Sequence, residues 1–62
     1  MNEVRFIRLP DVINRTGISR STIYRKVHHG DFPAPVQLGQ RMIAWSSFQV
    51  DEWCKKRLEG AK

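Results

Sequence analysis

Read from its sequence, this chain is a mainly α-helical domain with one small β-hairpin, in the order helix, helix, hairpin, helix. Three observations predict that order. Glycines at positions 17, 30, 39 and 60 cut the 62 residues into short pieces. Apolar residues recur at helical spacing in three of those pieces. The segment Asp31-Phe32-Pro33-Ala34-Pro35, whose prolines exclude a helix and enforce an extended path, leads into two short apolar runs around Gly39-Gln40.

Phe6-Ile7-Arg8-Leu9 reads as a short extended lead-in. Pro10 suits the first turn of a helix, where its missing N–H costs nothing, and Asp11 favours the positive helix end. Leu9, Val12 and Ile13 supply the apolar stripe, and Gly17 is expected to stop the helix in a left-handed conformation. Ser19 is the expected N-cap of the second helix. Ile23 and Val27 lie four apart and share its inner face, Ile18 staples against Ile23, and Gly30 ends it. Two short helices joined by so short a glycine-containing turn outline a helix-turn-helix.

Val36-Gln37-Leu38 and Met42-Ile43-Ala44-Trp45 read as two strands joined by Gly39-Gln40, with glycine in the positive-φ first position of the turn. That register places Leu38 opposite Arg41 and Val36 opposite Ile43. Its inner face is Val36, Leu38, Ile43 and Trp45. Ser46 with Gln49 matches a capping box for the last helix. Phe48 or Val50 with Trp53, Cys54 and Leu58 forms its apolar stripe, Lys55, Lys56 and Arg57 suit its negative end, and Gly60 ends it. Together these elements make a winged helix-turn-helix. Trp45, Phe48 and Trp53 are assigned to its core.

Residues 1–62 are expected to form a single domain with a core of roughly 5–58. So small a domain is expected to have no room for a substrate pocket of the usual few hundred cubic ångströms beside its core. Cys54 has no second cysteine to pair with, and His28 and His29, adjacent on a helix, point about 100° apart and do not complete a metal site. No metal or cofactor is expected, and apolar packing alone must hold the fold. Residues 1–5 lack the apolar run of a signal peptide and no stretch is long enough to span a membrane, so a cytoplasmic protein without membrane contact is expected.

The net charge is +5 and the isoelectric point near 10.2. Residues 1–30 carry six Lys and Arg against two Asp and Glu, whereas residues 31–62 carry five against four. Such one-sided positive charge suits a polyanionic partner. It concentrates on the second helix, which has no carboxylate from Ser19 to Gly30. With Ile23 and Val27 inward, Ser21, Thr22, Arg25, Lys26 and His29 face outward. Arg pairs bidentately with guanine, and Ser or Thr bonds base edges or phosphates. The N-terminal half of such a helix reaches bases. Ser21, Thr22 and Arg25 are therefore assigned to base readout, and Ser19, Arg20, Lys26 and His29 to phosphates. Tyr24 fits either a core-edge ring or a phosphate contact through its hydroxyl. Gln40 and Arg41 mark the wing tip, placed on the DNA backbone or in the minor groove. The competing reading of the same face is an ordinary solvated one.

Arg5-Phe6-Ile7-Arg8-Leu9, the block Thr16-Gly17-Ile18-Ser19-Arg20-Ser21-Thr22-Ile23-Tyr24-Arg25, then Gly30-Asp31-Phe32-Pro33, Val36-Gln37-Leu38-Gly39, Trp45 and Val50-Asp51-Glu52-Trp53 together resemble the AlpA family of phage-type regulators. The resemblance covers roughly residues 5–58. It implies a winged helix-turn-helix related to the MerR type and transcriptional regulation of prophage or island genes, or the role of an excisionase that directs an integrase toward excision. His28, His29 and Gln40 fall where family members vary, so no specificity carries over there. The leading expectation is a non-enzymatic protein that binds double-stranded DNA sequence-specifically, alone or as self-associated or adjacent copies on repeated sites. The rivals are an excisionase-like recombination directionality factor and a module that docks an acidic protein.

Overall fold

The computed structural model describes residues 5–60. Residues 1–4, on which the signal-peptide reading largely rests, lie outside that range, as do residues 61–62. The elements are β1 (Phe6–Ile7), α1 (Leu9–Thr16), α2 (Arg20–His28), β2 (Val36–Gly39), β3 (Met42–Ser46) and α3 (Ser47–Gly60). Three helices and a small antiparallel sheet make the mainly α winged helix-turn-helix that the sequence predicts. The lead-in segment does more than expected. Its β1 pairs with β3, Phe6 opposite Ser46 and Ile7 opposite Trp45, so the hairpin is completed to a three-stranded sheet of order β1-β3-β2.

The helix-turn-helix is built almost entirely from backbone bonds. Arg8 precedes α1, and its carbonyl accepts the amides of Asp11 and Val12 at 3.0 and 3.1 Å, with Pro10 in the first turn. Gly17 adopts a φ of 72° and donates to the Ile13 carbonyl at 2.7 Å. Thr16, which no local pattern singles out, stitches the turn. Its hydroxyl donates to the Val12 carbonyl at 2.8 Å and accepts the Ile18 amide at 3.2 Å. Helix α2 ends in a complete Schellman motif, in which Gly30 donates to the Val27 carbonyl and Asp31 to that of Lys26.

That turn aims Phe32 back into the core, where it is buried with Ile7, Val12, Ile23, Trp45 and Val50. Leu9, Ile13, Ile18, Val27, Ile43, Trp53 and Cys54 pack around them. Every helical stripe read from the sequence thus contributes. Both tryptophans also hold the loop through their polar edges. The Trp45 indole N–H donates to the Pro33 carbonyl at 2.9 Å, and that of Trp53 to the Asp31 carbonyl at 2.6 Å. The Phe32 and Trp53 rings meet edge-on at 4.9 Å. The proline-containing loop is therefore pinned at two carbonyls flanking its one buried ring.

The hairpin departs from expectation. Val36 pairs with Ala44, Gln37 with Ile43 and Gly39 with Met42, one residue away from the expected register in the first two pairs and two in the third. Gly39 belongs to β2, the two turn residues are Gln40 and Arg41, and the positive-φ glycines among the described residues are Gly17 and Gly30. A turn without positive φ does not match the twist of its strands, and the register shift between Gln37 and Gly39 takes up the difference. A one-residue slip exchanges the faces of a strand. Val36 and Leu38 are accordingly exposed, while Ile43 and Trp45 remain on the core face with Ile7.

Helix α3 begins at Ser47, directly after its expected cap: Ser46 closes β3 and accepts the Gln49 amide at 3.3 Å. Val50, not Phe48, is its innermost residue. Phe48 is 47% exposed and Leu58 77%, so neither belongs to the core. A helix of 14 residues spans about 21 Å, longer than this small core, and its last turns run past it.

Gly30→Ala is expected to lower stability by about 1–2 kcal/mol, because an L-residue resists the left-handed region. No atom lies within 4 Å of the position a Cβ would take, so backbone strain alone sets the cost. Urea unfolding of the two proteins measures it, and an unchanged midpoint would contradict the assignment.

Candidate nucleic-acid interface

Helix α2 is oriented by what it buries. Ile23 is fully buried and Val27 packs beside it. At roughly 100° per residue, the direction opposite these two falls near Arg25, flanked by Ser21 and His29. Those three side chains are exposed. Thr22 and Lys26, nearer the edge of the buried face, are half-buried. The structure thus brings Ser21, Thr22, Arg25, Lys26 and His29 onto one continuous outward arc.

Bonds within that arc order it. The Ser19 hydroxyl donates to Thr22 Oγ1 at 3.0 Å, and Arg25 Nη2 donates to the same oxygen at 3.4 Å. Ser19 occupies the N-cap with extended backbone, as expected, but makes no side-chain bond to a helix amide. Sequence reasoning missed this, because a capping serine and a serine bonded to a neighbouring hydroxyl look identical in the chain. His29 Nδ1 lies 2.8 Å from the Arg25 carbonyl. A carbonyl only accepts, so Nδ1 is the donor in this contact.

Tyr24 lies beside the core and is 36% exposed. Its ring lies 6.2 Å from that of Trp45 at a tilt of 56°, and the Arg20 guanidinium sits 5.9 Å from its centroid. These contacts link the start of α2 to β3. At the opposite end of the sheet Gln40 and Arg41 form the hairpin tip, both exposed, and the Gln40 carbonyl accepts from Gln37 Nε2 at 3.4 Å.

Elsewhere, an open groove of about 550 Å³ runs between the 30–36 segment and α3, lined by Phe32, Pro33, Val36, Phe48 and Trp53 among others. Its volume exceeds the pocket that so short a chain was expected to hold, and Phe48 on its wall is exposed. Among the described residues no polar or charged side chain is buried, and no three His, Cys, Asp or Glu side chains are grouped to hold a metal ion. No helix among them is long and apolar enough to cross a membrane.

A short-turn helix pair, a sheet ending in a basic tip and a carboxylate-free second helix define the class of winged helix-turn-helix proteins. Within that class the chain belongs to the family of the prophage CP4-57 regulatory protein, AlpA, whose family model matches residues 5–58. It is 40% identical over its whole length to the uncharacterized protein ORF88 of enterobacteria phage P4, of which it covers 70%. It is 37% identical over 60 residues to the DNA-binding transcriptional activator AlpA of Escherichia coli K12, the match covering 87% of this chain and 86% of that protein.

Proposed function

We propose that this protein is a non-enzymatic transcriptional regulator of prophage or island genes that binds double-stranded DNA sequence-specifically. The observation that carries the reading is the outward arc of α2, rich in hydrogen-bond donors and free of carboxylates, on the second helix of a helix-turn-helix. The similarity to a DNA-binding transcriptional activator supports it. Helix α2 enters the major groove, where Ser21, Thr22 and Arg25 serve base readout. Ser19, Arg20, Lys26, His29 and the Tyr24 hydroxyl meet phosphates. Gln40 and Arg41 bring the wing to the backbone or the adjacent minor groove. One such module buries only roughly 600–1,000 Å² on DNA, so self-association or adjacent copies on repeated sites supply the remaining affinity.

The exposed Arg41 at the wing tip favours one second reading. A basic side chain there gains most where the minor groove is narrow, and contacts on both sides of the bound groove favour a duplex bent toward the protein, the geometry an excisionase-like directionality factor needs. A promoter reporter and an excision assay run side by side separate the two, and excision lost without any change in transcription would select the second.

Base readout itself is tested with Arg25→Ala. A bidentate base contact is worth about 1–3 kcal/mol of discrimination, whereas a phosphate contact carries none. Arg25→Ala is expected to flatten the preference at one base pair, while Lys26→Ala weakens all sequences alike. Affinities for the preferred duplex and its single-base variants decide it. An even loss for Arg25→Ala would remove Arg25 from base recognition.

A further inference from the structure

We propose that Thr22 is a positioning residue whose hydroxyl, held by Ser19, aims the Arg25 guanidinium, and that the fork so aimed selects guanine. This inference rests on the DNA-binding reading and divides the work among the residues assigned to base readout.

The argument starts from hydrogen-bond capacity. A threonine hydroxyl has one proton to give and two lone pairs to fill. In this structure Thr22 Oγ1 lies 3.0 Å from the Ser19 hydroxyl and accepts from Arg25 Nη2 at 3.4 Å. The Thr22 hydroxyl is therefore engaged on both sides within α2. Ser19, Thr22 and Arg25 are spaced three apart, so they form a ladder along one edge of α2, from the cap to the centre of the outward face. The ladder has a cost that points to its use. A serine at an N-cap normally accepts a helix amide, and Ser19 makes no such bond. Its hydroxyl is turned to Thr22 instead. The shorter bond anchors Thr22, and the longer one restricts the swing of Arg25.

The consequence is preorganisation. An exposed arginine loses rotamer freedom when it docks, and a side chain already held near its bound position loses less. One of the five guanidinium N–H groups is engaged by Thr22, which leaves the others free for a fork. What the guanidinium presents to DNA is donors alone. In the major groove guanine offers two adjacent acceptors, N7 and O6, whereas adenine and cytosine each place an amino donor there. The aimed fork therefore prefers guanine at the position Arg25 reaches.

The test is selection from a randomised duplex library with the full chain, followed by binding to the enriched duplex and its single-base variants. The wild type is expected to enrich one guanine whose replacement lowers affinity about tenfold or more. Thr22→Val, which keeps the shape and removes the hydroxyl, is expected to reduce that discrimination several-fold at the base pair where Arg25→Ala abolishes it. Thr22→Ser is expected to restore it, and Thr22→Val added to Arg25→Ala should cost nothing more at that base pair. Thermal melting of each variant reports any loss of fold, which the serine variant controls. A changed preference at a different base pair would make Thr22 a reader in its own right and overturn the proposal. Full discrimination by Thr22→Val, or enrichment of a non-guanine base at the Arg25 position, would also overturn it. Failure of the library to enrich any sequence would instead remove the DNA-binding reading on which it stands.

Discussion

Trp45→Ala is expected to leave the domain largely unfolded. The side chain is completely buried, and it touches three parts of the fold at once. It pairs with Ile7 across β1 and β3, its ring meets Tyr24 of α2, and its indole N–H holds the Pro33 carbonyl. Truncating a buried tryptophan costs roughly 3–5 kcal/mol, and a carbonyl left without its donor adds about 1 kcal/mol or more. A domain of this size, with no disulfide among its means of support, rarely has more than about 3–5 kcal/mol in total. The loss therefore matches the whole stability. Circular dichroism melting is the measurement, with Trp45→Phe as the graded control: it keeps a ring and loses the N–H, so it should fall between the two. A cooperative melt of Trp45→Ala at the wild-type temperature would take Trp45 out of the core.

The second large effect is electrostatic. Binding of the full chain to duplex DNA is expected to weaken about fortyfold when salt rises about fourfold from low to physiological concentration. Each phosphate neutralised contributes a slope of roughly −0.9 in log K against log salt. Arg20, Lys26 and Arg41 are exposed or half-exposed cations on α2 and at the wing tip. About three contacts give a slope near −2.7, or about 1.6 decades over that range. Removing Arg20 or Lys26 should make the slope shallower by about one unit each. Fluorescence anisotropy across a salt series measures both. A flat dependence would point to a protein partner rather than DNA.

The local elements were legible because their signals are local. Pro10, Gly17, Ser19 and Gly30 each constrain φ, a donor or a cap within a few residues, and each marks a boundary where it was expected. The helical stripes were legible for the same reason: period and burial coincide when a short helix has only one side to bury. The outward arc of α2 followed directly, since fixing Ile23 and Val27 inward leaves Arg25 no other direction. The hydroxyl ladder within that arc was not legible, because sequence carries the spacing of Ser19, Thr22 and Arg25 but not which rotamer each adopts.

The sequence by itself determined the order of elements, the two glycine-terminated helices and the identity of the outward residues on α2. Tertiary structure decided what depends on pairing between distant segments. A two-residue strand such as Phe6–Ile7 has no independent signal and exists only because β3 lies beside it. The hairpin register depends on a turn whose twist must be reconciled with both strands, and a shift of one residue moved Val36 and Leu38 to the surface. Phe48 and Leu58 satisfy a helical stripe as well as Val50 and Trp53 do, and only the limited extent of the core left them outside. The tryptophan bonds to Asp31 and Pro33 join residues 22 and 12 positions apart, where no local rule operates. Packing in so small a domain is a competition for few buried places, and periodicity names the candidates while the available volume chooses among them.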